Sequence, residues 1–255
     1  MIEIHGLTRR FDGVRAVDRL DLTVAASELL VLLGESGCGK TTTLKMINRL
    51  IEPSAGSILI DGEDTSEIEP HELRRRIGYV FQRVGLFPHM TIAENIAITP
   101  RLLGWNRDRT RARVEDLLAL VELDPAEVHD RYPAALSGGQ QQRVGVARAL
   151  AVEPKLMLLD EPFGALDPLT RDRLQQSFLR ISRRLALTAI FVTHDMAEAL
   201  LLGDRIAILR SGRLVQVGTP HELVNRPADE YVHSLMSTPR RQASAFDALA
   251  SGEGV

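Results

Sequence analysis

The chain has 255 residues, of which 44% are hydrophobic and 25% are charged, so it can bury a sizeable core as one large domain or as one domain with an added lobe. This composition excludes disordered and fibrous proteins. A net charge of −3 and an aromatic content of 4% argue against nucleic-acid binding, which needs basic surface and stacking side chains. Only a small basic patch could serve that purpose, and we expect no nucleic-acid partner.

The sequence also indicates the cellular compartment of the protein. Its one cysteine, Cys38, cannot form an internal disulfide, and the opening "MIEIHGLTRRF" lacks an apolar signal segment. The apolar runs fall short of the ~20 residues that a membrane-spanning helix needs. We therefore expect a protein of the reducing cytosol. If it works at a membrane, another chain must span that membrane.

The first third of the chain predicts β-structure, because short apolar runs are separated by Gly and Asp. These runs are "MIEIHGLTRRF", "LDLTV", "ELLVLLG" and "GSILIDG". After the third run, "KTTTLKMINRLI" places Leu44, Ile47, Leu50 and Ile51 at helical spacing. The sequence therefore predicts a strand, a glycine-rich loop and a helix in succession.

The character changes to helical at about residue 84. "IAENIAITPRLLGW" and "RTRARVEDLLALVEL" carry apolar residues three and four apart, which predicts a helical lobe over residues 84–150. Strands and helices then alternate from "KLMLLD" to "RLVQVG", which favours a mainly parallel α/β sheet. We predict one domain over residues 1–235, with its core in 1–83 and 151–235. The Ser-, Ala- and Gly-rich residues 236–255 predict a flexible tail.

The loop after the third strand has a phosphate-binding pattern. "GESGCGKT" matches G-x-x-x-x-G-K-[ST], whose glycines let backbone N–H groups turn toward a phosphate at a helix N-terminus. Lys40 can reach the β- and γ-phosphates, and the Thr41 hydroxyl can bind Mg²⁺. The alternative is a glycine-rich turn that matches by chance. The candidate nucleotide-binding residues are Gly34, Glu35, Ser36, Gly37, Cys38, Gly39, Lys40, Thr41 and Thr42.

A second part of a nucleotide site follows the apolar run "LMLL". Asp160 comes at the carboxyl end of this strand, where an acid can hold Mg²⁺. Glu161 stands beside it and can accept a hydrogen bond from an attacking water, which is the role of a general base. The alternative is an acid that caps the end of a core strand.

"LSGGQQQRVGVARAL" contains a second candidate anion site. Ser137, Gly138 and Gly139 precede a helical run, so N–H groups and a hydroxyl face outward at a helix N-terminus. The alternative is an N-cap serine followed by flexible glycines.

These motifs, with Gln82 in "VFQ", Asp167 in "GALD" and His194 in "VTHD", make residues 1–235 resemble the ATP-binding cassette ATPases of ABC transporters. The resemblance implies a P-loop NTPase core of the α/β class. Its features would be a mainly parallel sheet, an N-terminal antiparallel β portion and an inserted α-helical lobe. It also implies a homodimer or pseudo-dimer in which two chains enclose two ATP molecules head to tail.

The resemblance further implies roles for single residues. In the dimer, the residues of the "LSGGQ" stretch, here called the signature residues, would touch the γ-phosphate held by the opposite glycine loop. Gln82 would contact Mg²⁺ and the attacking water, His194 would bridge the γ-phosphate and the partner chain, and Asp167 would lie across the interface. Phe11 would stack on adenine, with a buried core Phe as the alternative. The signature residues are Ser137, Gly138, Gly139 and Gln140.

A single cassette without a membrane span is typical of importer ATPases that dock on separate permease subunits. Such systems include an extracytoplasmic solute-binding protein, so we expect a peripheral location at the cytoplasmic face of the inner membrane. "KMINRLIEP" and "VGLFPHMT" are similar to ATPases of the osmoprotectant importers, which take up glycine betaine, choline or carnitine. Many of those ATPases continue into paired regulatory domains, and since the sequence ends at Val255 we expect none here.

Other assignments stay open at this point. The chain could serve an ABC system for another solute, such as an amino acid or a phospholipid. It could also be a soluble ABC ATPase that acts on DNA or ribosomes, although those relatives usually have tandem cassettes or long coiled-coil insertions. A third alternative is a nucleotide-binding regulator without catalysis.

Overall fold

The structure is a computed structural model that describes residues 1–82, 85–164 and 166–237. The strands of this part are β1 (Ile2–Phe11), β2 (Val14–Val24), β3 (Leu29–Leu33), β4 (Ala55–Ile60), β5 (Glu63–Asp64), β6 (Ile77–Val80), β7 (Leu156–Asp160), β8 (Thr188–Thr193), β9 (Arg205–Arg210) and β10 (Arg213–Gly218). The helices are α1 (Lys40–Ile47), α2 (Pro70–Arg76), α3 (Ile92–Leu102), α4 (Arg107–Leu120), α5 (Pro125–Val128), α6 (Gly138–Leu150), α7 (Pro168–Arg184), α8 (Met196–Leu202), α9 (Pro220–Asn225) and α10 (residues 230–237). Short 3₁₀ turns cover Thr65–Glu67 and Pro133–Ala135.

The larger sheet has the strand order β10-β9-β3-β8-β7-β6. Strands β9, β3, β8, β7 and β6 are parallel, and β10 pairs antiparallel with β9 at the edge. Every residue of β3, β7 and β8 is buried, as expected for parallel strands that are covered on both faces. The predicted mainly parallel α/β sheet is confirmed.

The smaller sheet is antiparallel and has the order β2-β1-β4-β5. Strands β1 and β2 form a hairpin in which Phe11 pairs with Val14, and both turn residues between them, Asp12 and Gly13, have positive φ. This conformation suits an Asp-Gly turn and matches the twist of the strands. The buried side chains of β1 and β2 pack with those of β3 and α1 in one apolar cluster. The antiparallel N-terminal portion is thus joined to the main sheet through a shared core.

Helices α3 to α6 lie between β6 and β7 in the chain and pack on one another. Their shared core includes Val114, Leu117 and Val144, which are almost completely buried. On the exposed side of α4, Arg111 pairs with Glu115 at 3.0 Å, one turn further along the helix. An inserted group of helices is therefore present, while its boundaries at residues 84 and 150 stay a prediction.

Helix α1 ends earlier than its apolar spacing predicts. The helix stops at Ile47, and Arg49 adopts a φ of 48°. The N–H of Leu50 donates to the carbonyl of Lys45 at 2.8 Å, and the N–H of Arg49 donates to that of Met46 at 3.0 Å. These two bonds form a Schellman-type helix end. The predicted continuation to Leu50 and Ile51 is wrong, because the chain turns out of the helix at Arg49.

The end of the described chain contains helix. Met236 belongs to α10 and is buried in the main core. Most of the predicted tail, residues 238–255, lies outside the described residues, so its flexibility stays a prediction. Within the described residues, no helix is long and apolar enough to cross a membrane.

A buried asparagine, not singled out by the sequence patterns, organises the chain that precedes α3. Asn95 has no exposed surface. Its Oδ1 accepts from the Phe87 N–H at 2.7 Å, and its Nδ2 donates to the carbonyls of Phe87, Met90 and Thr91 at 3.1, 3.2 and 2.9 Å. One side chain thus satisfies several backbone groups of the loop.

We predict that Asn95→Asp lowers the free energy of unfolding by ~2 kcal/mol or more, because the substitution removes every Nδ2 donor and buries a carboxylate. The matched control is Asn106→Asp at the exposed N-cap of α4, where either residue accepts the Arg109 N–H equally well. Urea unfolding followed by circular dichroism measures both. Equal stabilities of the two variants would contradict the role assigned to Asn95.

Candidate active site

The glycine loop connects β3 to α1 and is held closely between two other strands. Gly39 has a φ of 107°, and a Cβ built on it would lie 2.5 Å from the carbonyl oxygen of Ala16 in β2. A Cβ on Gly34 would lie 2.2 Å from the carbonyl oxygen of Leu209 in β9. Glycine is therefore required at both positions, because no other residue permits this approach of the backbone.

The loop combines a positive charge with free N–H groups. The Lys40 ammonium is buried and donates to the carbonyls of Gly34 at 2.6 Å and Glu35 at 2.9 Å, and it lies 3.7 Å from the Cys38 sulfur. The N-cap of α1 is Gly39, which offers no side-chain acceptor to the first N–H groups of the helix. These groups, which include those of Thr41 and Thr42, suit a phosphate.

Thr41 and Asp160 meet across the site. The Thr41 hydroxyl donates to Oδ1 of Asp160 at 2.7 Å. Burial raises the pKa of the Asp160 carboxyl, although the Thr41 hydrogen bond and the charges of Lys45 and Lys40 oppose this effect. A hydroxyl and a buried carboxylate in contact are oxygen donors of the kind that Mg²⁺ prefers.

The three predicted catalytic side chains lie together. Gln82 follows β6, Glu161 follows β7 and His194 follows β8. The Gln82 amide donates to Glu161 Oε2 at 3.2 Å, and His194 Nδ1 lies 3.2 Å from Glu161 Oε1. The Glu161 side chain is thus held from both sides, and only a fifth of it is exposed.

Glu161 also has an unusual backbone. Its φ is 43°, in the left-handed region that costs a non-glycine residue of order 1–3 kcal/mol. Its N–H donates to the carbonyl of Val192 in β8 at 3.0 Å, as though β7 continued by one more residue. The turn therefore directs the Glu161 side chain toward Gln82 and His194.

The signature residues lie at the start of α6. Ser137 is the N-cap, and its Oγ accepts from the Gln140 N–H at 3.3 Å while Gln140 Oε1 accepts from the Ser137 N–H at 2.9 Å. The capping interpretation of Ser137 is thus correct as local structure. A Cβ on Gly139 would lie 2.6 Å from the Thr170 methyl group, so this end of α6 packs on the first turn of α7. Gly138 has open space instead.

Asp167 is the N-cap of α7. Its side chain accepts from the Thr170 N–H at 3.0 Å, and hydrogen bonds from the Thr170 side chain and backbone lower the pKa of its carboxyl. The start of α6 and the start of α7 are therefore neighbours within this chain.

Phe11 lies on the hairpin beside the glycine loop. Its ring is 40% exposed, so the alternative of a buried core Phe is wrong. The Arg9 guanidinium lies 4.5 Å from the ring centroid. Phe11 pairs with Val14 of β2, the strand whose Ala16 touches Gly39, so the ring belongs to the surroundings of the glycine loop.

The sequence patterns missed a polar cluster next to Glu161. Arg171 and Gln175 lie one turn apart on α7, and Asp195 and Glu198 lie at the start of α8. Glu198 and Gln175 are buried and bonded to each other at 2.9 Å, and burial raises the pKa of the Glu198 carboxyl. The i, i+4 spacing of Arg171 and Gln175 was the available sequence signal for this cluster. The same spacing is typical of a solvent-exposed polar helix face, so it could not identify the cluster.

Residues 17–164 match the family model described as ABC transporter. The chain belongs to the ABC transporter family. The family predicted from the motifs is therefore confirmed, and the strand–loop–helix that carries Lys40 is its P-loop.

The similar ABC proteins include import ATPases. The glycine betaine/carnitine/choline transport ATP-binding protein OpuCA of Bacillus subtilis is 58% identical over 94% of this chain and 63% of its own length. The glycine betaine uptake system ATP-binding protein YehX of Escherichia coli is 49% identical over 91% of this chain and 75% of its own length. This chain thus spans less than two thirds of OpuCA.

Among solved structures, the dimeric bacterial ABC transporter cassette MJ0796 is similar over 86% of this chain and 99% of its own. The TM-score is 0.78 and the sequence identity is 32%. A second MJ0796 structure is a dimer in a post-hydrolysis state with ADP and Pi. The predicted P-loop NTPase fold of the α/β class is confirmed.

We predict that Gly39→Ala weakens ATP binding by at least ~10-fold, because the added methyl group would overlap the Ala16 carbonyl and the residue would keep a strained φ. Gly104→Ala is the matched control: Gly104 also has a positive φ, 73°, but its Cβ would meet open space. Isothermal titration calorimetry with ATP and Mg²⁺ measures both. Wild-type affinity in Gly39→Ala would show that the loop tolerates the methyl group.

Proposed function

We propose that this chain is the ATP-hydrolysing subunit of an importer and that it powers uptake of an osmoprotectant quaternary amine through a separate permease. The observation that carries the enzymatic part is the position of Glu161, held between Gln82 and His194 beside the Thr41–Asp160 pair. This is the arrangement of a positioned base next to a phosphate site.

Nucleotide binding uses the glycine loop and the hairpin beside it. Lys40 and the N–H groups at the start of α1 neutralise the β- and γ-phosphates, with Glu35, Ser36 and Cys38 supplying the loop between the glycines. Phe11 stacks on the base with its exposed ring. Thr42, in the first turn of α1, lies where its N–H can also face a phosphate.

The residues present fit Mg²⁺, which would be held by Thr41, Asp160 and Gln82. The described residues contain no group of three or more His, Cys, Asp and Glu side chains that could hold a metal by themselves. Such a site fits an ion that takes its remaining oxygen ligands from water and the nucleotide phosphates. When bound, Mg²⁺ supplies charge neutralisation at the phosphate oxygens.

Hydrolysis depends on the placement of a water molecule. Glu161 accepts a proton from the water while Gln82 and His194 hold the carboxylate from either side, which keeps it directed at one position. His194 Nδ1 faces Glu161 and the side chain is largely exposed, so the other ring nitrogen can face the γ-phosphate. Fixed electrostatics and orientation provide most of the acceleration.

We further propose that two chains act as a homodimer or pseudo-dimer. Ser137, Gly138, Gly139 and Gln140 then complete the site of the partner chain, and Asp167 contacts that partner. The dimeric structure of the similar cassette MJ0796 supports this arrangement. The neighbouring positions of α6 and α7 also support it, because one surface then presents both groups. The helices of residues 84–150 would form a lobe on the core of residues 1–83 and 151–235.

The substrate proposal rests on the relatives. OpuCA is named for glycine betaine, carnitine and choline transport, and YehX for glycine betaine uptake. By analogy, this chain docks on permease subunits at the cytoplasmic face of the membrane. An extracytoplasmic solute-binding protein would deliver the amine. An ABC system for another solute is the main alternative, because the transported molecule does not touch the ATPase.

We predict that Glu161→Gln lowers kcat for ATP at least ~100-fold and retains ATP binding, because an amide cannot accept the proton of the water. Phosphate release measures turnover, and calorimetry measures binding. Glu115→Gln, on the exposed face of α4, is the matched control and should keep wild-type turnover. A near-normal rate in Glu161→Gln would remove the residue from the role of base.

We predict that cells lacking this chain lose uptake of labelled glycine betaine, choline or carnitine, and that wild-type protein restores it but Lys40→Ala does not. The strain should have no other importer for these amines, and uptake is measured at low and high external salt. Unchanged uptake would overturn the substrate proposal while leaving ATP hydrolysis standing.

A further inference from the structure

Two polar contacts connect the N-terminal part of α7 with the start of α8. In the interior, the Gln175 amide donates to Glu198 at 2.9 Å, and both residues are buried. One turn closer to the start of α7, Arg171 Nη1 lies 3.6 Å from Asp195 Oδ2. The inner contact fixes the two helices relative to each other, and the outer one lies beside the residues of the active site.

Arg171 contacts a second partner with the other end of its guanidinium. Its Nη2 donates to the carbonyl of Leu166 at 3.1 Å. Leu166 directly precedes Asp167, so Arg171 connects the loop that carries Asp167 to the start of α8. A planar guanidinium can make both contacts at once, which a lysine ammonium cannot do with the same geometry.

The partner on α8 is itself fixed. Asp195 Oδ1 accepts from the N–H groups of Ala197 and Glu198 at 2.9 and 3.2 Å, and the Asp195 N–H donates to the Thr193 hydroxyl at 2.9 Å. Its other oxygen, Oδ2, faces Arg171. His194 lies between Thr193 and Asp195 in the sequence, so the contacts that fix Asp195 also restrain the backbone of His194.

Arg171 supplies positive charge near two neighbouring acids, Asp195 and Glu198. Asp195 and Glu198 are close enough for the charge of Asp195 to disfavour ionisation of Glu198, and the charge of Arg171 acts in the opposite direction. Removing Arg171 would remove the positive charge beside these two acids. The outer contact is half-exposed, at 31% for Arg171 and 38% for Asp195, so its effect concerns orientation more than stability.

We propose that Arg171 is a positioning residue for ATP hydrolysis. It holds the loop of Asp167 against the start of α8 and thereby sets the position of the His194 ring against Glu161. The contacts that transmit this positioning run from Leu166 through Arg171 and Asp195 to His194. The inference rests on the proposed ATPase function, because His194 and Glu161 are assigned to that reaction.

The kinetic test compares Arg171→Met with Arg173→Met, which changes an exposed arginine of the same helix. We expect Arg171→Met to lower kcat ~10-fold or more and to keep KM for ATP within ~3-fold of wild type, because a small displacement of a catalytic group slows the chemical step. Arg173→Met should match wild type. A kcat within ~2-fold of wild type in Arg171→Met, or a rise in KM with kcat unchanged, overturns the proposal.

A second pair of variants separates positioning from folding. Asp195→Asn keeps the cap of α8, since asparagine also accepts at an N-cap, but it loses the charge that faces Arg171. We expect Asp195→Asn to lower kcat, and Arg171→Met/Asp195→Asn to be no more than ~2-fold slower than Arg171→Met alone, because the two changes break one contact. Independent, multiplying effects would overturn the proposal.

Amide hydrogen exchange in the full chain without nucleotide gives a readout that does not depend on activity. Arg171→Met and Asp195→Asn should both speed exchange in residues 166–170 and 193–198, and Arg173→Met should not. Unchanged exchange in both variants overturns the connection. Failure of the proposed function is distinct: wild-type protein would then show no ATPase activity that Lys40→Ala abolishes, and the positioning role would fall with it.

Discussion

The buried parallel strands are the constraint on which the candidate site depends. Strands β3, β7 and β8 are apolar along almost their whole length because helices and the smaller sheet cover them. The charged side chains of the site can therefore lie only at the ends of these strands. Since the strands run in one direction, Lys40, Asp160, Glu161 and His194 emerge at the same edge of the sheet. There Thr41, next to Lys40, bonds to Asp160, and His194 lies beside Glu161.

Much of this arrangement could be predicted because it is local in the sequence. The glycine loop follows an apolar strand and opens a helix, and the acid pair begins at the last residue of another strand, so the order of residues implies the edge of the sheet. The end of α1 could not be predicted in this way. Leu50 and Ile51 continue the helical spacing, but the left-handed conformation of Arg49 comes from hydrogen bonds that spacing does not encode.

Contacts between segments that are distant in the sequence were the other feature that could not be predicted from the sequence. Asn95 resembles any polar residue of a helix until the loop folds back on its amide, and Arg171 resembles a solvated charge until Leu166 and Asp195 arrive on either side. Both residues bond to backbone carbonyls of neighbouring loops, and neither belongs to a motif. The transported solute is harder still to predict, because it does not contact the ATPase. The proposal for the solute therefore depends on the relatives.

The position of Phe11 has a consequence for nucleotide choice. Arg9 lies over the ring, so the proposed stacking on a base would use the π-face that remains. Stacking recognises a flat aromatic surface and ignores the pattern of donors and acceptors at its edge. The contacts to the phosphates do not discriminate either, because every nucleoside triphosphate shares them. The proposed stacking would therefore accept guanosine or inosine triphosphate as well as ATP, and the abundance of ATP in the cell would decide which nucleotide is consumed.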